Sequence, residues 1–238
     1  MASTRGLLLI ADIGGYTTYM RTHRMSLAHA EVNTSRLLGT VIDAVPGLEL
    51  VEIEGDAAFL YREVGAEDPA ELVGEVARAA ARMHRAFHIE RQYVAKNLCP
   101  CAGCKEAENL TLKFVAHVGD VATQTIRDRF KLVGIDVILV HRLLKNTVPL
   151  REYVLVTEDL YGAGSPALPA PVPHQEPDME GFGAVQTYYL DVDRLEHAPG
   201  PLPTPTWRGR LGRTMYAAGA GLPYMLGRKG RRPVAVAG

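Results

Sequence analysis

Two stretches of the sequence place single acids where they could do chemistry. In LLLIADIGGYTTYM, residues 7–20, a run of strand-forming apolar residues delivers one carboxylate, Asp12, to a glycine pair. In VEIEGDAAFLY, residues 51–61, a second carboxylate, Asp56, sits in a short turn between two strand-like runs. Two converging carboxylates suit Mg²⁺ or Mn²⁺, hard cations completed by water and substrate phosphates. Gly14 and Gly15 precede a helix start, where backbone N–H groups can seat a phosphate. Metal, phosphate seat and strand tip together suggest a nucleoside triphosphate site. Simpler roles stay open on spacing alone: Asp12 as a helix cap and Asp56 as a turn residue.

A third group is the cysteine set of NLCPCAGC: Cys99, Cys101 and Cys104. Thiolates this close could wrap one structural Zn²⁺, with a fourth ligand from elsewhere. His84 and His88, at i and i+4 on the preceding helix, or a partner chain are the sources considered. An iron–sulfur cluster and a metal-free, redox-sensitive loop are the alternatives. Three cysteines make no disulfide framework, and no signal peptide or 18-residue apolar run is visible, so a cytoplasmic location is expected. The remaining histidines read as structural or surface residues: His117 as a core residue, and His23, His29, His141, His174 and His197 in surface or loop positions.

The elements that must position the acids follow from periodicity. Residues 7–13 read as a buried strand and 28–45 as a helix, with Leu37, Leu38, Val41, Ile42 and Val45 on one stripe. Residues 48–53 and 57–62 read as a hairpin about Glu54-Gly55-Asp56, and 69–96 as a long helix. Strands at 110–117 and 121–127 flank an expected turn at Gly119-Asp120. A helix over 134–145 and strands at 153–156 and 185–190 follow. The leading order β-α-β-β-α-β is the split pattern of ferredoxin-like folds, with spatial strand order 4-1-3-2. The expected class is α+β: an antiparallel sheet, helices on one face, and extra C-terminal strands. That strand order sets the end of the first strand beside the start of the third, so Asp12 and Asp56 meet at one sheet edge.

The 238 residues are 47% hydrophobic and 22% charged, enough for one good core. We expect a domain over 1–197, with its core at 7–161 and the cysteine loop, 97–108, as an insertion. A proline-rich linker and basic tail occupy 198–238. The net charge of −1 gives no whole-chain bias toward nucleic acid, and no specific nucleic acid partner is expected. Residues 199–238 hold seven Arg or Lys and no acid, with an apolar middle at 215–226. This tail is too short and glycine-rich to span a bilayer. It reads as a solvated, poorly ordered end, with weak contact to an anionic membrane surface as the functional alternative.

The motifs resemble class III nucleotidyl cyclases, the adenylate and guanylate cyclases. ADIGGYT resembles their first metal motif, VEIEGDAAFLY the second, and FVAHVGDV the strand after the long helix. VGIDVILVHRLL resembles the helix that carries the transition-state Asn and Arg, and YVLVTEDLY the strand after it. The matches keep family order and spacing over 7–161, with the Cys-x-Cys-x-x-Cys insertion as a departure. The resemblance implies a metal site at Asp12, Ile13 and Asp56. It implies nucleotide contacts at Gly14, Gly15, Tyr16, Thr17, Glu52 and Lys131, and a transition-state role for Arg142. It also implies a homodimer in which Arg142 reaches the site from the facing subunit. If active, such a domain converts ATP or GTP to the 3′,5′-cyclic nucleotide. Three positions depart from the family: Ile138 stands at the transition-state Asn, Glu52 at the base-selecting Lys, and Lys131 at the base-selecting acid. Ile138 cannot donate a hydrogen bond, so an inactive dimeric signalling or ligand-binding module is the alternative. Glu52 and Lys131 are expected to pair with each other.

Overall fold

A computed structural model describes residues 3–22, 27–99, 101–127, 129–162, 171–195 and 200–225. In chain order the elements are β1 (Thr4–Gly14), α1 (Tyr16–Thr22), α2 (Leu27–Asp43), β2 (Glu49–Glu54), β3 (Ala57–Glu63), α3 (Pro69–Ala95) and α4 (Ala102–Glu106). There follow β4 (Thr111–Ile126), β5 (Arg129–Val133), α5 (Ile135–Arg142), β6 (Tyr153–Thr157), α6 (Glu158–Tyr161), β7 (His174–Gln175), β8 (Asp178–Met179), β9 (Gly183–Ala184), β10 (Thr187–Asp191) and α7 (Trp207–Met225).

The main sheet runs β2-β3-β1-β4-β6-β10-β7, with β5 paired to β4. The first four strands keep the expected split βαβ order and pair antiparallel. The β4–β6 pair is parallel, so the antiparallel pattern ends at that seam. The expected C-terminal strands extend the sheet, with β10 antiparallel to β6. Local chemistry sets the boundaries. Asp68 caps α3, accepting the Ala70 N–H at 2.9 Å, and Pro69 opens the helix. Gly55 takes the β2–β3 turn at φ 66°, a region that favours glycine.

Residues 7–11 of β1 are all buried, which demands cover on both faces of the sheet. On one face Leu7, Leu9, Ala11 and Ile13 pack on Leu37, Leu38 and Val41 of α2 and Val76, Ala80 and Met83 of α3. On the other, Leu8, Ile10, Phe59 and Val115 pack on Leu139 and Val140 of α5. The two long helices thus share one face as expected, while the short α5 covers part of the other. That second face is where the candidate chemistry lies.

Two local expectations are corrected. Gly119-Asp120 is not a turn, because β4 runs through it without a break. Glycine is needed there for room: a Cβ on Gly119 would lie 2.3 Å from the Asp136 carboxyl group. The Asp120 N–H donates to that carboxylate at 2.6 Å. The basic tail is also not simply solvated. Residues 207–225 form α7, which packs on α2 and α3. Arg213 and Arg36 each lie 2.7 Å from the buried Glu90 carboxylate, and their guanidinium groups lie over the rings of Tyr93 and Tyr216. Arg210 donates to the Lys96 carbonyl at the end of α3. These pairings meet the demand that a buried charge be matched. The basic cluster Arg228, Lys229, Arg231 and Arg232, like residues 163–170 of the proline-rich loop and Pro199 of the linker, lies outside the described residues. Among the described residues no helix is long and apolar enough to cross a membrane.

His117 supplies a stability prediction. It is 1% exposed on β4, with Nδ1 2.7 Å from the Thr157 hydroxyl and Nε2 3.3 Å from Asp136. Burial pulls its pKa below the ordinary value, Asp136 and the nearby Asp159 offset this in part, and Arg5 adds to the depression. The folded protein therefore resists protonation of His117 more than the unfolded chain, which takes up a proton as pH falls through about 6.5. The unfolded state then binds more protons, so stability falls as pH drops through the ordinary histidine range at about 6.5. The urea midpoint should fall across that window, and His117→Asn should reduce the slope. An unchanged slope refutes the assignment.

Candidate functional site

The end of β1 and the β2–β3 turn meet as their order requires. The Ile13 N–H donates to the Asp56 carbonyl at 3.1 Å, and Asp12 pairs in register with Ala57. Alternation along β1 turns Ile13 into the α2–α3 core and Asp12 to the α5 face. Burial raises the pKa of Asp56, and the neighbouring Asp12 charge raises it further. Lys113, opposite Asp12 on β4, holds its Nζ 3.0 Å from Asp12 Oδ2. Two carboxylates face one ammonium, an all-oxygen donor set with excess negative charge, which fits a hard divalent cation. Lys113 escaped the sequence reading. The signal was present: Leu112 and Phe114 point into the core, so the residue between them must face the Asp12 side.

The glycine pair divides its tasks. Gly15 adopts φ 82° and its carbonyl accepts the Tyr19 N–H at 3.1 Å, starting α1. A Cβ on Gly14 would lie 2.3 Å from the Thr111 hydroxyl, so this glycine makes room for Thr111. Tyr16 packs against the α2–α3 core and stacks with Tyr19 at 6.5 Å, whereas Thr17 is exposed.

The other candidate residues line a cavity of about 760 Å³ on the same α5 face, bounded by Glu52, Phe59, Lys131, Ile138, Arg142 and Glu180 among others. Glu52 and Lys131 pair at 3.6 Å, as expected, and both are about half exposed. Ile138 is 50% exposed. Ile135, one turn before it on α5, is exposed too, so this apolar side of the helix faces outward. Arg142 is 3.6 Å from Glu180 and over the Phe182 ring, while its Nη1 is buried without a hydrogen-bond partner. The loop that carries Glu180 and Phe182 joins β8 to β9, a pairing that sequence periodicity did not mark. Neither Asp12 nor Asp56 lines this cavity. Within one chain the acidic pair and the Arg142 group are therefore separate parts of one sheet face.

The cysteines meet His29, whose sequence position reads as surface or loop. Ligand atoms of Cys99, Cys101, Cys104 and His29 all lie within 4.8 Å of one another. The His29 ring is 3.8 Å from Cys101 Sγ and 3.6 Å from Cys104 Sγ. His84 and His88 face Glu152 instead, so they are not the fourth ligand. Cys104 is fully buried, and burial pushes its thiol up to about 12. Asn97 Nδ2 donates to its sulfur at 3.2 Å and the Cys104 N–H to Cys101 Sγ at 3.3 Å. The set of three sulfurs and one imidazole, with donors to sulfur around it, has the composition of a closed zinc site.

Solved class III nucleotidyl cyclase structures share this fold. The guanylyl cyclase Cya2 superposes with a TM-score of 0.59 at 15% identity, covering 79% of this chain and 92% of that one. A class III adenylyl cyclase-like ATP-binding protein from Pseudomonas aeruginosa superposes at 0.55 with 17% identity, covering 70% of this chain and 36% of that one. By sequence, the chain belongs to the family described as "Protein of unknown function (DUF2652)", whose model matches residues 34–153. An uncharacterised protein of Mycobacterium tuberculosis (strain ATCC 25618 / H37Rv), Rv2561/Rv2562, is 36% identical over 199 residues, 82% of this chain and 90% of its own length.

Proposed function

We propose that this chain is a dimeric cyclase-fold domain that binds a nucleoside triphosphate with Mg²⁺ or Mn²⁺. The carrying observation is the meeting of Asp12 and Asp56 at the end of β1, on the sheet face that also holds the Arg142 cavity. Asp12 and Asp56 would hold the cation, with the Gly14–Thr17 turn beside the phosphates. Bound there, the cation would activate a hydroxyl and neutralise the leaving pyrophosphate. The separation of the acidic pair from Arg142 within one chain favours a site shared between subunits. The buried, unpartnered Nη1 of Arg142 is suited to an incoming phosphate oxygen. The Glu52–Lys131 pair reverses the charges of the family's base-reading pair, and this supports a changed base preference over ATP or GTP specificity of the usual kind.

Ile138 favours a second reading, a domain that binds nucleotide without turning it over. Losing one transition-state donor typically costs about 3–4 kcal/mol, a factor of ~10²–10³ in rate. Calorimetry with Mn²⁺ and ATP or GTP, together with chromatography for cyclic product, separates the readings. Binding that disappears in Asp56→Ala supports the site, and product above that control establishes catalysis. No binding of either nucleotide overturns both. A structural zinc bound by Cys99, Cys101, Cys104 and His29 completes the proposal. The basic cluster at 228–232 is proposed to give weak contact with an anionic membrane surface.

A further inference from the structure

A second convergence of ligating side chains lies on the opposite sheet face, between α3 and the segment before β6. His84 and His88 stand one helical turn apart on α3, so their rings project from one side. Glu152 precedes β6 and accepts the Leu112 N–H through Oε1 at 2.8 Å. Three ligand groups close a tight triangle. His88 Nε2 is 2.9 Å from His84 Nε2 and 2.9 Å from Glu152 Oε1, and His84 Nε2 is 3.2 Å from Glu152 Oε2.

Protons on the neutral rings do not satisfy this triangle. A neutral imidazole nitrogen either donates one hydrogen or offers one lone pair. If both Nε2 atoms carry hydrogen, both can reach Glu152, but two donor nitrogens then sit 2.9 Å apart with no acceptor between them. If only His88 carries it, the lone pair of His84 faces a carboxylate oxygen. If only His84 carries it, the lone pair of His88 faces Glu152 Oε1. Each arrangement leaves one repulsive contact among side chains that are 8–19% exposed. A cation that takes an electron pair from all three removes the conflict.

We propose that His84, His88 and Glu152 form a metal site for a divalent first-row transition cation, separate from both the nucleotide face and the cysteine cluster. Two imidazoles and one carboxylate suit Zn²⁺ with an open fourth position, and equally Mn²⁺ or Fe²⁺. The open position faces a cavity of about 270 Å³, which the three ligands line together with Arg85 and Asp193. Water or a small polar ligand fits there. Phe87 packs edge-on against His88 at 5.3 Å, and the Leu112 N–H fixes Glu152, so the ligands are held in place by their surroundings.

The test uses the metal-depleted full chain titrated with Co²⁺ in the absence of nucleotide. Besides the thiolate-bearing set of the cysteine cluster, one equivalent should give visible bands without sulfur-to-cobalt charge transfer. His84→Ala should remove that equivalent, or weaken it at least ~10-fold, while leaving the thiolate bands. Glu152→Gln, nearly isosteric, should do the same, and Asp56→Ala should leave this equivalent in place. Unchanged stoichiometry and spectra in folded His84→Ala and Glu152→Gln overturn the site. If neither variant folds, anomalous scattering from Co²⁺-soaked wild-type crystals decides, with no peak at the triangle counting against it.

Discussion

Cys104→Ser is expected to release one equivalent of zinc and to lower the thermal midpoint by about 8–20 °C. The proposed zinc would tie together parts of the chain that lie far apart in sequence. His29 lies in the first turns of α2, and the cysteines lie in the loop after α3 and in α4. A cation bound only by the folded arrangement adds its binding free energy to folding. Cys104 is 0% exposed, and the amide groups of Asn97 and Asn33 point at its sulfur from 3.2 and 3.9 Å. A serine oxygen is a shorter, harder ligand, so both the cation and these donors lose their partner. Loss of a metal belongs with the few changes that cost about 4 kcal/mol or more, and each kcal/mol is worth roughly 2–4 °C in a chain of this size. Calorimetric scans with and without chelator, with zinc counted by mass spectrometry, give the answer. Wild type should drop in chelator and the variant should not. A variant that keeps its zinc, or a wild type indifferent to chelator, refutes the staple.

The convergence of Asp12 and Asp56 was legible because it depends on order alone. An apolar strand, a helix, a hairpin about Gly55 and a second helix have few right ways to pair, and the split βαβ solution sets those two residues side by side. The pairing of Glu52 with Lys131 was legible from the resemblance, which brings both positions to one base site. What stayed hidden depends on side-chain volume and on distant contacts. Gly119 reads as a turn signal, yet it is a strand residue that makes space for Asp136. His29 is seventy positions before Cys99 and carries no local mark of its place beside the cysteines. The tail's seven positive charges have no acid among them, so no pairing within it marks a folded element. Its partner, Glu90, lies on α3, and only the packed structure shows α7 turning Arg213 onto it.

Opposite effects on metal affinity are expected at the two residues of one ion pair, Asp12 and Lys113. Asp12→Ala removes one of the two carboxylates and leaves the Lys113 ammonium facing Asp56. Removing one member of a close charge contact typically costs about 2–5 kcal/mol, so Mn²⁺ binding should weaken by at least ~30-fold. Lys113→Met removes the cation that now holds Asp12 Oδ2 at 3.0 Å, while its unbranched chain keeps the packing of the lysine stem. With the ammonium gone, Asp12 and Asp56 carry their full repulsion, and a divalent ion is the species that relieves it. Mn²⁺ binding measured without nucleotide should therefore tighten in Lys113→Met. The pair of variants separates two roles for the lysine. If Lys113 only competes with metal for Asp12, binding of the Mn²⁺–nucleotide complex should tighten too. If it also contacts the triphosphate, nucleotide binding should weaken while the metal alone binds better. Equal Mn²⁺ affinity in wild type and both variants would place the cation elsewhere and remove the basis for a metal–nucleotide site at the end of β1.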